Sequence, residues 1–243
     1  MKNTMKYIGL MMVILGFMSG CGDKESADVS RQTDFPLIEV AGPSTVFHPL
    51  GTNYDDPGAT ATEGGQEITV TSEATGTYRG GSSLDVNVAD CYEVTYTATN
   101  KDGFPGTASR TVYVYETGDL INSIEGLYTS TIVRNGVSSP QYEDLQYVLI
   151  WKNQDGTYQI SDGIGGYYAF GRGYGLNYIS SGAVITANSI PLNDFEYTDF
   201  SNDGFGGVHT MSNMVVDPIA GTVSFTTDWS FGFTFEVTLT QIQ

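Results

Sequence analysis

Apolar and polar residues take turns along much of this chain. In the last strand-like run, Phe231, Phe233, Phe235, Val237 and Leu239 are separated by Gly232, Thr234, Glu236 and Thr238. Successive side chains of a β-strand point to opposite faces, so such a run lays one apolar stripe on a sheet and one polar stripe on its back. The same period of two runs through Tyr92–Ala98 and Ala108–Tyr115, and more briefly through Leu37–Val40, Ile68–Thr71 and Leu84–Val88. Between the runs stand turn formers: Asn53 to Gly58, Asn100 to Gly103, and Asp217 to Gly221. Proline fixes φ in such turns and glycine permits positive φ. Asn153 to Gly156 separates Tyr147–Trp151 from Thr157–Ile160, which predicts a hairpin. No segment sustains a helical period. The expected class is therefore all-β, and 243 residues are enough for one or two domains that each bury a core.

The N-terminus has a different character. Lys2 and Lys6 precede an uncharged, mostly apolar run from Tyr7 to Met18, too short to span a bilayer and of the right length for a signal-peptide core. Ser19 and Gly20 then supply small residues before Cys21. This resembles the bacterial lipobox, with Met18 where leucine is more usual. The resemblance implies cleavage after residue 20 and acylation of Cys21, with palmitate or a similar chain. Several acyl chains on one residue make a stable anchor, since each buried methylene adds about 0.8 kcal/mol. Residues 21–34 are polar, without apolar periodicity, and read as a lipidated flexible tether. Asp23, Glu25 and Asp28 resemble the surface-export signal of Bacteroidetes lipoproteins, which implies an outer-membrane, cell-surface location. Removing residues 1–20 takes away two lysines and no acid, so the formal charge moves from −18 to −20. Such acidity argues against nucleic acid and against contact with anionic lipid headgroups. With Cys21 acylated, Cys91 has no partner for a disulfide and, set in an alternating run, reads as a buried packing residue.

Three blocks in residues 35–117 stand in a telling order. Tyr54-x-Asp56-Pro57-Gly58-Ala59-x-Ala61 comes first. Tyr92-x-Val94-x-Tyr96-x-Ala98-x-Asn100-x-x-Gly103 follows, and Arg110-Thr111-Val112-x-Val114 closes the set. They resemble the immunoglobulin-like domains of bacterial surface proteins. The resemblance implies a β-sandwich with a spacer or adhesive role, in which Tyr92 fixes a loop as a tyrosine corner does. Thr117-Gly118-Asp119 reads as a hinge. Residues 118–243, dense in glycine and aromatics, are expected to form a second antiparallel domain, either a β-barrel or a β-sandwich. This half resembles the C-terminal halves of Bacteroidetes lipoproteins encoded beside outer-membrane glycan-uptake systems.

The most unusual stretch is Asp162 to Gly175, where Tyr167, Tyr168 and Tyr174 are interleaved with glycines and Arg172. It has neither the ending of a P-loop nor a following helix. Tyrosine faces stack on sugar rings, and Asp162 and Arg172 offer groups for hydroxyls. Trp151 and Trp229 are further stacking platforms. These seven residues are the expected glycan contacts, set against the alternative that the aromatics fill a barrel interior while the glycines bend its strands. Asp199, Ser201 and Asp203 partly imitate a calcium loop, but the twelfth position is Thr210 and lacks the bidentate carboxylate. Asp55 and Asp56 are a second weak calcium candidate. No other cofactor is expected. His48 and His209 are the sole histidines, and the sequence has no Gly-x-Ser-x-Gly elbow and no His-Glu-x-x-His. The expected function is therefore non-catalytic: a surface lipoprotein, membrane-bound through its lipid, that binds a glycan or a partner protein of an outer-membrane uptake complex. The alternatives are a structural or adhesive protein that binds no sugar and, less favoured, a glycoside hydrolase, which would need two carboxyls facing across a cleft.

Overall fold

A computed structural model describes residues 33–242. The signal peptide, Cys21 and the tether up to residue 32 lie outside the described residues. The chain from Pro36 to Tyr115 forms a sandwich. Its strands are β1 (Leu37–Val40), β2 (Thr45–Pro49), β3 (Ala59–Glu63), β4 (Gln66–Ile68), β5 (Val70–Gly76), β6 (Asp90–Thr99) and β7 (Pro105–Tyr115). One sheet has the order β1-β3-β4 and the other β2-β7-β6-β5, with β2 parallel to β7. The alternation in β6 and β7 puts Tyr92, Val94, Tyr96, Val112 and Val114 into the core. The expected run Ile68–Thr71 is interrupted at Thr69, where the chain leaves one sheet for the other.

Leu84–Val88 is not the strand its alternation suggested. The Asp85 carboxylate accepts the Asn87 N–H at 2.9 Å, and the Val88 N–H bonds back to the Asp85 carbonyl. This is a turn, and it is fixed by Tyr92, whose hydroxyl donates to the carbonyls of Asp85 and Val88. Alternating burial of Leu84, Val86 and Val88 arises here without a ladder. The motif residues around it serve the sandwich too. Arg110 is wholly buried and pairs with Asp56, while the Tyr96 hydroxyl donates to the same carboxylate at 2.7 Å. The carbonyls of Pro43 and Ala41 accept two further guanidinium protons. Asp56 is thus an ion-pair partner, with its oxygens engaged, rather than a calcium ligand.

The second domain is one ten-stranded sheet. Its strands are β8 (Gly126–Arg134), β9 (Leu145–Lys152), β10 (Tyr158–Ile160), β11 (Ser180–Ser181), β12 (Val184–Ser189), β13 (Asp194–Tyr197), β14 (Phe200–Asn202), β15 (Gly206–Asp217), β16 (Thr222–Trp229) and β17 (Phe233–Gln241). The order is β11-β14-β15-β16-β17-β8-β9-β10-β12-β13, all antiparallel; the expected hairpin β9–β10 is present, and the expected turn at Asp217–Gly221 joins β15 to β16. The sheet curls into a half-barrel, between the two forms expected. A bulge in β15, where Asn213 takes a φ of 55°, bends the strand. Edge strand β13 then meets β15 through side chains instead of a ladder: the Met214 N–H reaches the Tyr197 hydroxyl, and the Val216 N–H reaches Oδ1 of Asn193, just before β13.

The interior is plugged by the glycine-rich segment. Ser161 through Ala169 are all buried, and Tyr167–Gly171 makes a single π-helical turn, the irregular piece that periodicity did not signal. The glycines let this segment lie against its surroundings. A Cβ on Gly163 would sit 2.4 Å from the Phe200 ring, and one on Gly165, whose φ is +69°, would sit 2.4 Å from Ser130 Oγ.

The two domains share packing. Cys91 and Tyr113 are cross-strand neighbours on the outer face of the sandwich. With Ala89 they cover Leu127, Leu149 and Trp151 from the outer face of β8 and β9. Burial pushes the Cys91 thiol up to about 11, so it stays protonated in this interface. The expected hinge is instead a pinned elbow. Asp119 accepts the N–H groups of Ile121 and Asn122, and Gly118 is bonded to Glu125 and Gln241.

Candidate functional site

Of the seven residues expected to contact a glycan, five are buried. Tyr167 stacks on Tyr142 at 4.2 Å between centroids and meets Phe235 edge-on. Tyr168 packs on Tyr167 and Trp229, and Trp229 stacks on the ring of His209. Asp162 accepts the Ile164 N–H with one oxygen while the other has no partner, and desolvation pushes its pKa up to about 7. The three rings fill the half-barrel, because apolar rings gain more from leaving water than from facing it. Their faces are not free for a sugar. Trp151 is buried at the domain interface, where it still lines a cleft. Arg172 and Tyr174 alone lie in the open.

The calcium loop does not assemble. Asp199 accepts the Thr210 hydroxyl, Asp203 accepts the Ser181 hydroxyl, and Ser201 lies across the ladder from Ser181. Among the described residues no three His, Cys, Asp or Glu side chains are grouped to hold a metal. What the segment does is make a turn. Asn202 Oδ1 accepts the N–H groups of Gly204 and Phe205, and its amide donates to the Tyr178 carbonyl. A Cβ at Gly204 would come 2.3 Å from the Tyr178 ring, so only glycine lets the turn close. The result is that Phe205 is held out at the surface.

Phe205 belongs to an exposed aromatic ledge. Tyr174 is 50% exposed, Phe205 44% and Phe231 56%. Tyr178 lies between the first two, 5.3 Å from Tyr174 and 4.9 Å from Phe205. Tyr168 lies below, nearly parallel to Tyr174, and Trp229 supports Phe231. The buried tyrosines and tryptophan are thus the floor on which the exposed rings rest.

A cleft of about 380 Å³ opens between the domains near this ledge. One wall is the loop after β5. The fully buried Asp90 carboxylate accepts the N–H groups of Tyr78, Arg79 and Cys91, and so fixes Tyr78 and Arg79 at the cleft mouth. A Cβ on Gly76 would lie 2.3 Å from the Gly80 carbonyl, which keeps the loop tight. The other wall carries Trp151 and Gln159, direct cross-strand neighbours that share a face of β9 and β10, with Ser161 and Ser181 beside them. Arg79 lies 5.7 Å from the Trp151 ring centroid. Ile179 borders both this cleft and a second one of about 570 Å³, lined also by Thr77, Asn177, Tyr178 and Asp203.

Sequence reasoning does not pick out Arg79, Gln159, Phe205 or Phe231. Arg79 and Gln159 are ordinary in their local context and meet only because the domains dock. Phe205 adjoins the turn read as a calcium loop, and a turn held by Asn202 with glycine after it is the signal that was available. His209, read as isolated, is buried with both ring nitrogens unpartnered between Phe200 and Trp229, and burial holds its pKa down at about 4.

Comparisons with known proteins agree with this architecture. Residues 38–114 match the family model of a bacterial surface protein, Ig-like domain. Residues 117–241 match a second family model, which describes a C-terminal domain. The crystal structure of the lipoprotein BT2262 from Bacteroides thetaiotaomicron is similar, with 28% identity and a TM-score of 0.64 over 85% of this chain and 100% of that one. A comparison with curated proteins finds no match.

Proposed function

Because this chain belongs to the family defined by that C-terminal domain, with a bacterial surface Ig-like domain ahead of it, we propose that it is a lipid-anchored surface protein that binds a glycan. The observation that carries the reading is the ledge of Tyr174, Phe205 and Phe231, exposed on a rigid aromatic floor beside a polar cleft. Ring faces receive the C–H faces of sugars, and nearby polar groups receive the hydroxyls. Exposed rings cost solvation energy in the free protein, and a fixed floor means that little order has to be imposed on binding. Neither family model names an enzyme.

The protein partner of an uptake complex is the second reading. It is favoured by Leu176 and Val208, aliphatic side chains 42% and 50% exposed near the same rings. Glycan-array binding of the protein, followed by the Tyr174→Ala/Phe205→Ala double variant, separates the two. Binding that falls at least tenfold in a folded double variant supports the glycan. An array with no binding sinks it and leaves the protein partner.

Anchoring is proposed through acylated Cys21, on the outer face of the outer membrane. The similar Bacteroides protein is itself described as a lipoprotein. Palmitate labelling of cells that express the chain should mark the native protein and miss Cys21→Ala, which should appear soluble and folded. Labelling of the variant would refute the anchor.

A further inference from the structure

We propose that the interdomain cleft selects an anionic sugar, bearing a carboxylate or a sulfate ester, and that Arg79 is the residue that selects it. The inference rests on the glycan reading above and names its ligand class. The chain carries 28 acids against 10 lysines and arginines, so a cleft that presents a cation is set against the general charge of the molecule. Arg79 is exposed, makes no ion pair among the described residues, and is fixed in place through its backbone by Asp90.

The groups around it are donors. The indole N–H of Trp151, a lining residue 95% buried, has no acceptor among the described residues. A buried donor left without a partner carries a desolvation penalty, which an acceptor oxygen relieves. The amide of Gln159 stands directly across the ladder from that tryptophan. Guanidinium, indole N–H and amide together match a planar or tetrahedral oxyanion, and guanidinium binds both in two-pronged fashion. Of the acids nearby, Asp90 is wholly buried with its oxygens taken by the N–H groups of Tyr78, Arg79 and Cys91, and Asp203 lies beyond Ile179 and is engaged by Ser181, where a sugar hydroxyl would meet it as donor. The volume admits one or two sugar rings, so the anionic unit would sit in the cleft and the rest of the chain would run to the aromatic ledge.

Isothermal titration calorimetry tests this with three probes of matched length: a galacturonate oligosaccharide, a chondroitin sulfate oligosaccharide and a neutral galactan. At least one anionic probe should bind tenfold or more tightly than the neutral one, and its affinity should fall with added salt. Which of the two binds identifies carboxylate or sulfate. Arg79→Gln should remove the anionic preference, bringing the anionic probe to within about twofold of the neutral one measured on the same variant. Gln159→Ala, at a half-exposed position, should weaken the anionic probe several-fold. Equal affinity for all three probes, or an unaltered preference in Arg79→Gln, overturns the inference while the glycan reading stands. No binding of any probe, together with an empty glycan array, overturns both.

Discussion

The two domains treat buried polar groups in opposite ways. In the sandwich, Arg110, Asp56, Tyr96 and the carbonyls of Ala41 and Pro43 form one network in which the charge is paired, and Glu63 Oε1, which has no hydrogen bond, is paired with Lys101. In the half-barrel, an oxygen of Asp162, both nitrogens of His209, Ser130 Oγ and the Trp151 indole N–H are buried without partners. A complete network specifies one packing, whereas open groups cost stability where they stand. Such costs persist when a site needs what causes them. Here they gather around the glycine-rich plug and the domain interface, the parts that support the ledge and the cleft. The sandwich pairs its buried charge, and the half-barrel carries the aromatic ledge and one wall of the cleft.

The sharpest way to break this contrast is to open the Arg110 network. Asp56→Ala leaves the Arg110 guanidinium buried and uncompensated, which should cost about 3–5 kcal/mol in chemical denaturation. A loss below about 1 kcal/mol would mean that the sandwich is as tolerant as its neighbour. Next comes the plug. Gly165→Ala forces a methyl group against Ser130 and Val237 at a positive φ, and the overpacking and backbone strain should cost about 2–4 kcal/mol. An unchanged thermal midpoint would show that the plug can move aside.

Two subtler tests concern the open groups themselves. Asp162 has its pKa raised to about 7 by burial. Its stabilising contribution is therefore complete below its unfolded pKa, near 4, and is lost as pH rises to about 7, because the unfolded chain ionises first. The stability of the native protein relative to Asp162→Asn should thus fall between pH 4 and 7. A flat difference would place a proton donor or cation on the second oxygen. His209 runs the other way: with its pKa lowered to about 4, stability is lost as pH falls from about 6.5. His209→Phe keeps a flat ring between Phe200 and Trp229 and removes two unpartnered nitrogens. It should be neutral or stabilising by about 1 kcal/mol at pH 7, with a larger gain at pH 5. Clear destabilisation at pH 7 would reveal that the ring is more than filler.

Much of the fold is legible in the sequence because side-chain period and turn chemistry are local. Phe233–Leu239 must show one face inward, and Asn153–Gly156 must reverse the chain. Tyr92 as a loop fastener was readable from its place in the motif. Leu84–Val88 misleads because a turn can bury alternate residues too. The site was far less legible. Tyr167, Tyr168 and Trp229 have the chemistry of a binding platform, and burial, which depends on residues far away in sequence, decides against it. Phe205 gains its exposure from a turn held by Asn202, and Arg79 gains its setting from a carboxylate eleven residues later and a wall from the other domain.

That shared wall has an evolutionary corollary. The seam between the two matched segments is clean in sequence, yet Cys91 and Tyr113 on one side are dry only because Leu127, Leu149 and Trp151 lie on the other. Either half transplanted alone would present a sticky face to the medium. Recombination at this seam is therefore restricted to pairs that already fit. The Ig-like domain is less an interchangeable bead on a string than half of a fitted joint.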